Sequence, residues 1–360
     1  MKKRIFAILM ATLISATGLV GCRISEADVN KITEQIESTV DEAIEETLEE
    51  VKEETEDAVN PEEDTPSVDE AAFMKDPAGN EIAIPQNMDK IVSMSPSSTE
   101  ILIDLGLADK ICAIDTYSAF SAFAVNLPAD LPQFDMMTPD NEAIIALEPD
   151  IVFTTGMSYA GGEDVYAQVK AAGVCVADVP TSDSVKDIED DIAFFGEITG
   201  TQDKAKEIND GIEAFVSSLN DVTGGIEEKK SVLYVMSVPT ADYPDCYTCG
   251  KGTYMDEIFT LCGLENIAGD IEYEWPALSE EDIIAKNPDV IICGDNYTPD
   301  AVNAILSISA WKDISAIKNK AVYAIDGDAF NQPDHYVMNS AYEIITAVYP
   351  DETKDLEKPF

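Results

Sequence analysis

Few side chains in this sequence are placed to do covalent chemistry. His335 is the only histidine, Cys246 and Cys249 form a lone C-x-x-C in "DCYTCGKG", and Ser158 stands in "GMSYA". A structural zinc site needs four ligands, and no second pair is evident, so the C-x-x-C reads as a local disulfide or loop staple. Ser158 follows an apolar run, as a nucleophile elbow would. The second glycine of G-x-S-x-G is Ala160, however, and His335 is the only available base. The sequence therefore reads as a non-enzyme, with no resident metal or cofactor. What it repeats is a carboxylate. "EAIIALEPDIVFTTG" starts at Glu142 and "EDIIAKNPDVIICGD" at Glu281, and the two agree at the Glu, both Ile, the Ala, the Pro and the Asp. Such a pair can present one negative charge from each half of the molecule to a partner with matching positive sites. The alternative is that each glutamate only complements a helix N-terminus.

Each copy must be carried by a short amphipathic helix that stops before Pro-Asp, followed by a buried strand at 151–154 or 290–293. Around these copies strands and helices alternate, which predicts two α/β halves with mostly parallel sheets. A hairpin turns at Ala78-Gly79-Asn80. In "KIVSMSPSSTEILIDLGL" a strand leads through a Ser-Pro turn into a helix capped by Ser97 or Ser98, with Glu100 in its first turn. Between the halves, Ala205, Ile208, Ile212, Phe215, Leu219 and Val222 recur at helical spacing, predicting one helix of about 20 residues ended by Gly224-Gly225. A last helix runs from about Tyr336 to Val348.

The chain begins with Lys2, Lys3 and Arg4, an apolar stretch and small residues before Cys22, which is the pattern of an export signal over residues 1–21. Leu19-Val20-Gly21-Cys22 resembles the lipobox of bacterial lipoproteins, in which Cys22 would carry the lipid anchor. Residues 23–72 hold 19 acidic side chains against Arg23, Lys31 and Lys52. Ile32, Ile36, Val40, Ile44 and Leu48 mark one helical stripe there, and Pro61 and Pro66 end it, so 22–72 reads as an acidic stalk and linker. From residue 73 onward there are 52 acidic side chains and 16 basic ones, all of them lysine. That charge repels a phosphate backbone and excludes nucleic acid as a partner. The lack of arginine removes the bidentate grip on carboxylates and phosphates. Cysteines 112, 175, 262 and 293 fall in predicted strands or helix, where a buried thiol is a common state.

"KIVSMSPSSTEILIDLGL", "DNEAIIALEPDIVF", "GKGTYMDEIFTLCGLENIA", "WPALSEEDIIAKNPDVII" and "IKNKAVYAID" follow one another as they do in the Fe/B12-type substrate-binding proteins of bacterial ABC importers, which this chain resembles from about Asp76 to Pro350. The resemblance implies two Rossmann-like lobes, 73–182 and 226–354, joined through 183–225 by one long rigid helix, with a tail at 355–360. It implies an extracytoplasmic, membrane-anchored protein. Its partners would be a metal chelate (a siderophore, haem or a corrinoid) and the permease dimer, gripped through Glu142 and Glu281. Tyr117 and Trp275 match family positions that line the cleft between lobes. Met136, Tyr159, Tyr243, Tyr297 and Phe330 join them as candidates because they sit on or beside loops at the carboxyl ends of strands. A haem-binding relative would use an axial His, Tyr or Met, and His335 at a helix start reads instead as a cap or surface residue.

Overall fold

The computed structural model describes residues 72–156, 162–240 and 242–360. The export signal, Cys22, the acidic stalk, Ser158 and Tyr159 lie outside the described residues. None of the described helices is long and apolar enough to cross a membrane.

The chain enters through a hairpin, β1 (Phe73–Lys75) and β2 (Glu81–Ala83), whose turn needs Gly79 at φ 86°. Asp76 fastens it: one carboxylate oxygen accepts the Asn80 N–H and the other accepts the N–H of Asp178. Next come β3 (Ile91–Ser93), α1 (Pro96–Asp104), β4 (Ile111–Asp115), β5 (Gln133–Phe134), α2 (Asn141–Ala146), β6 (Ile151–Thr155), α3 (Ala167–Ala171) and β7 (Cys175–Val179). The first sheet has the order β5-β4-β3-β6-β7 and every pairing in it is parallel. α1 starts earlier than the sequence suggests: Ser95 is its N-cap and Pro96 its first residue, so Glu100 falls beyond the first turn.

Two helices follow, α4 (Val185–Thr199) and α5 (Gln202–Thr223). The helical periodicity found by sequence is α5. α4 is an additional partner, and the chain reverses between the two at Gly200, which takes φ 74°. A Cβ on Gly196 would stand 2.5 Å from that of Ala205, so the missing side chain lets the helices approach closely.

The second half comprises β8 (Lys230–Val235), β9 (Cys246–Tyr247), α6 (Tyr254–Leu261), β10 (Leu264–Asn266), β11 (Ala277–Leu278), α7 (Glu280–Lys286), β12 (Val290–Cys293), α8 (Ala301–Leu306), α9 (Ser315–Asn319), β13 (Val322–Ala324), α10 (Gly327–Asn331) and α11 (Val337–Val348). Its main sheet, β10-β8-β12-β13, is again all parallel, and β9 and β11 form a small antiparallel pair. β4, β3, β6 and β7 in the first sheet thus correspond to β10, β8, β12 and β13 in the second.

Side chains alternate faces along each strand. Ile151 and Phe153 of β6, and Val290 and Ile292 of β12, point into one apolar core that also takes Phe195 of α4, Ile212 and Phe215 of α5, Phe259 of α6 and Ile345 of α11. Val152 faces a separate outer core of the first half, and Ile291 and Cys293 face one of the second. The helix pair is therefore filling between two sheets that share a core. At its centre the Phe195 ring lies 4.8 Å from Phe153 and 5.8 Å from Phe194. The first turn of α4 is tied across to the second half, since the Val185 N–H donates to Glu257 of α6 at 2.8 Å.

All six described cysteines are free. The expected staple between Cys246 and Cys249 is not formed, because Cys246 packs into the outer core of the second half and Cys249 into the shared core. Burial pushes the Cys246 thiol up to about 12. The tail is not free either: the Phe360 N–H donates to Asn339, and its ring packs 4.9 Å from His335.

A shared core should melt as a unit. Phe195→Ala is expected to lower stability by about 3–5 kcal/mol while calorimetry still records one transition for both halves.

Candidate functional site: the cleft between the lobes

Parallel sheets place binding loops at their carboxyl ends, where the strand order reverses. Here the reversal lies between β3 and β6 in the first lobe and between β8 and β12 in the second, and the loop after β4 lies at the same end of its sheet. Two of the candidate tyrosines are presented by the same device. Asp115, at the end of β4, accepts the N–H groups of Tyr117 and Ser118 at 2.8 and 3.0 Å. Asp295, just after β12, accepts those of Tyr297 and Thr298, both at 2.9 Å. In each case the carboxylate turns the loop sharply and leaves the tyrosine two residues on in solvent, Tyr117 64% and Tyr297 86% exposed. Burial opposes the charge on Asp295, but hydrogen bonds from Val238, Thr298 and Tyr297 outweigh it and hold the carboxyl below its ordinary value. Tyr243 is exposed at the tip of a turn closed by Thr240, and Trp275 is half-buried against the shared core.

Two candidates are corrected. Met136 is buried in the outer core of the first lobe, where its apolar side chain packs among Val92, Ile144 and Val152. Phe330 is wholly buried, its ring edge-on to Tyr234 at 5.0 Å and tilted against Phe259 at 5.5 Å. Loop position suggested a ligand face for both, and packing claims both. Among the exposed aromatics that sequence reasoning passed over is Phe120, in the same "DTYSAF" loop as Tyr117.

The lobes also meet through polar groups. His335 is buried, not a surface residue or cap, and its Nε2 lies 2.9 Å from Oδ2 of Asp104 on the opposite lobe. Beside them Glu100 of α1 faces the wholly buried Asp334. Burial raises Glu100 to about 7, opposed by its hydrogen bond with Asp334 and reinforced by Asp104, Asp326 and Asp328. Burial, with Glu100 as neighbour, holds Asp334 well above the usual carboxylate range. Two carboxyls facing one another across the lobe junction thus both hold their protons more tightly than free carboxyls do. Gly327 lies so close to the backbone of Gly294 that a side chain there would collide with its carbonyl, which locks the exits of β12 and β13 together.

Away from the cleft, the repeated segments occupy equivalent places. Glu142 and Glu281 are both the second residue of their helix, α2 capped by Asp140 and α7 by Ser279. Both are exposed, and neither has an ion-pair or hydrogen-bond partner among the described residues. Ile144 and Ile283 anchor the two helices and are fully buried. Asp150 accepts the Lys90 N–H at the start of β3, and Asp289 accepts the Ser231 N–H in β8.

The profile of the periplasmic binding protein family matches residues 91–329. The chain belongs to that family. An uncharacterized ABC transporter substrate-binding lipoprotein of Bacillus subtilis, YvrC, is 29% identical to it, over 78% of this chain and 86% of the relative. A vitamin B12-binding protein of Vibrio cholerae is 24% identical, over 74% of this chain and 91% of its own length. A possible iron-binding periplasmic solute-binding protein from Staphylococcus epidermidis has a solved structure similar to this one, with TM-score 0.61 at 25% identity, over 72% of this chain and 98% of that chain. The family's two-lobed architecture is the one built here by two corresponding sheets.

The carboxyl pair at the junction gives stability a pH dependence. The folded chain retains a proton on Glu100 that the unfolded chain has released, so stability should fall as pH rises from the ordinary glutamate range through about 7. Asp334→Asn, which removes the second carboxyl whose proton the folded chain retains, should flatten that fall when urea unfolding is compared at pH 5 and pH 8.

Proposed function

We propose that this protein is a lipid-anchored, extracytoplasmic solute-binding protein that captures a metal chelate between its lobes and hands it to the dimeric permease of an ABC importer. The chelate class, an iron siderophore, haem or a corrinoid, is supported by the names of the relatives and by the exposed aromatics Tyr117, Phe120, Tyr243 and Tyr297 around the cleft, with Trp275 behind them and Tyr159 as a further candidate. Flat, weakly polar chelates are held by such rings with few charged contacts. The process is capture without bond chemistry. The lipid would be carried on Cys22, with the acidic segment to residue 72 acting as a spacer from the membrane.

The observation that carries the reading is the placement of Glu142 and Glu281. They stand at the same position of corresponding helices, exposed and without partners among the described residues. A helix N-terminus favours an acidic residue weakly, by about 0.3–1 kcal/mol, and does not require one at the same place in both lobes. Two acids meeting the two subunits of a permease would fix orientation and speed association. With the helix pair α4–α5 filling the space between the sheets, ligand release would come from the permease separating the lobes, not from free opening about a flexible hinge.

Reversing both charges, Glu142→Lys with Glu281→Lys, should abolish uptake in cells while leaving ligand affinity of the purified protein unchanged. Undiminished uptake would remove the docking role. An absorbance spectrum of protein taken from its native host should show which chelate it carries, since corrinoid, haem and ferric hydroxamate absorb differently.

A further inference from the structure

At the lobe junction a cavity of about 200 Å³ is walled on one side by Glu100 and residues 121–123, and on the other by Asp326, Asp328, Gln332 and Ser340. Its charge is one-sided. Glu343 also borders it, and the single basic side chain there, Lys358, is already 3.7 Å from that glutamate. Two polar atoms in the wall lack partners. Ser340 is only 1% exposed, yet its hydroxyl makes no hydrogen bond among the described residues, and neither does the amide oxygen of Gln332. Carboxylates and an amide oxygen can only accept, and a hydroxyl can accept as well. The wall therefore asks for a cation rich in N–H donors. A metal ion is the poorer fit, because among the described residues no three His, Cys, Asp or Glu side chains group closely enough to hold one. The volume is below the roughly 300–1,000 Å³ of a typical small-molecule pocket, so it suits one arm of a larger ligand.

We propose that this cavity receives a protonated primary amine, whose three N–H bonds are donated within a wall of acceptors formed by the carboxylates of Glu100, Asp326 and Asp328 and the oxygens of Gln332 and Ser340. The amine is carried as a side arm by the chelate bound in the cleft, a step that rests on the chelate reading above. The cleft thereby prefers cationic chelates over anionic ones. This agrees with the absence of arginine from residue 73 onward, which leaves no bidentate site for a carboxylate or phosphate.

Glu100 is faced by Asp104 on its own helix, by Asp326 and Asp328 beyond β13, by Asp334 and Tyr336 ahead of α11, and by the Glu343–Lys358 pair. Burial and the neighbouring acids raise it to about 7. An ammonium group needs that carboxyl ionised, so the preference for the amine grows as pH rises from 6 to 8.

The test uses the full chain and three probes in titration calorimetry: a neutral ferric trihydroxamate bearing a pendant pentylamine, the same chelate with that amine acetylated, and free pentylamine. At pH 8 the amine chelate should bind about tenfold tighter than its acetylated form. The gap should narrow at pH 6 and close in Glu100→Gln/Asp328→Asn. Ser340→Ala, which keeps the carboxylates, should weaken the amine chelate alone. If the double variant fails to fold, Asp328→Asn by itself should still narrow the gap. Equal affinity for the two chelates, or a gap unchanged in the variants, overturns the inference and leaves the chelate reading standing. Binding of pentylamine with neither chelate keeps the cavity as an amine site and overturns its link to a hydroxamate chelate, whereas no binding of any probe overturns the inference and leaves the haem and corrinoid readings standing.

Discussion

Everything in the folded part depends on one apolar core that belongs to neither lobe alone. The inner faces of both sheets pack against α4 and α5, and Phe153, Phe194 and Phe195 meet at its centre. Swinging the lobes apart would expose side chains that water leaves untouched in the closed form, at roughly 25 cal/mol for every Å² of apolar surface. The bare backbone at Gly196 brings the two helices into contact, so the filling is tight as well as apolar. A core shared in this way opposes wide separation of the cleft loops.

Because the architecture is doubled, its repeated sequence can be divided by role. Ile144 and Ile283 bind each helix to its sheet, Pro149 and Pro288 are buried at the helix exits, and Asp150 and Asp289 tie that exit to the first strand of the lobe. Three of the six coincident positions are thereby accounted for by folding. The glutamates are not: among the described residues they make no hydrogen bond or ion pair, and the helix starts are already capped by Asp140 and Ser279. Subtracting the structural duties from a repeat leaves the positions for which function is the remaining reason.

Periodicity made most of the fold legible, from the hairpin at Gly79 to the closing helix. What it missed has identifiable causes. α4 was hidden because "SVKDIEDDIAFFGEITG" sets acidic residues among its apolar ones, and one of them, Asp191, is itself buried, held neutral up to about 7 chiefly by burial against a hydrogen bond from Ser182. Glu100 looked like a first-turn acid, until the Ser95 cap moved the helix start and carried it into the lobe junction. Met136 and Phe330 lie beside cleft loops in sequence but turn into cores, and only three-dimensional packing separates such residues from Tyr117 and Tyr297. His335 has no periodic signature at all. Its partner, Asp104, lies more than two hundred residues earlier in the chain.

The unlinked cysteines have a practical side. Cys249 and Cys262 are sealed in the shared core and Cys246 and Cys293 in the outer core of the second lobe. A thiol reagent in solution reaches either pair only when its own compartment opens, so alkylation rates followed by mass spectrometry would clock the two compartments independently, without any introduced label. The molecule carries its own stopwatch for local breathing.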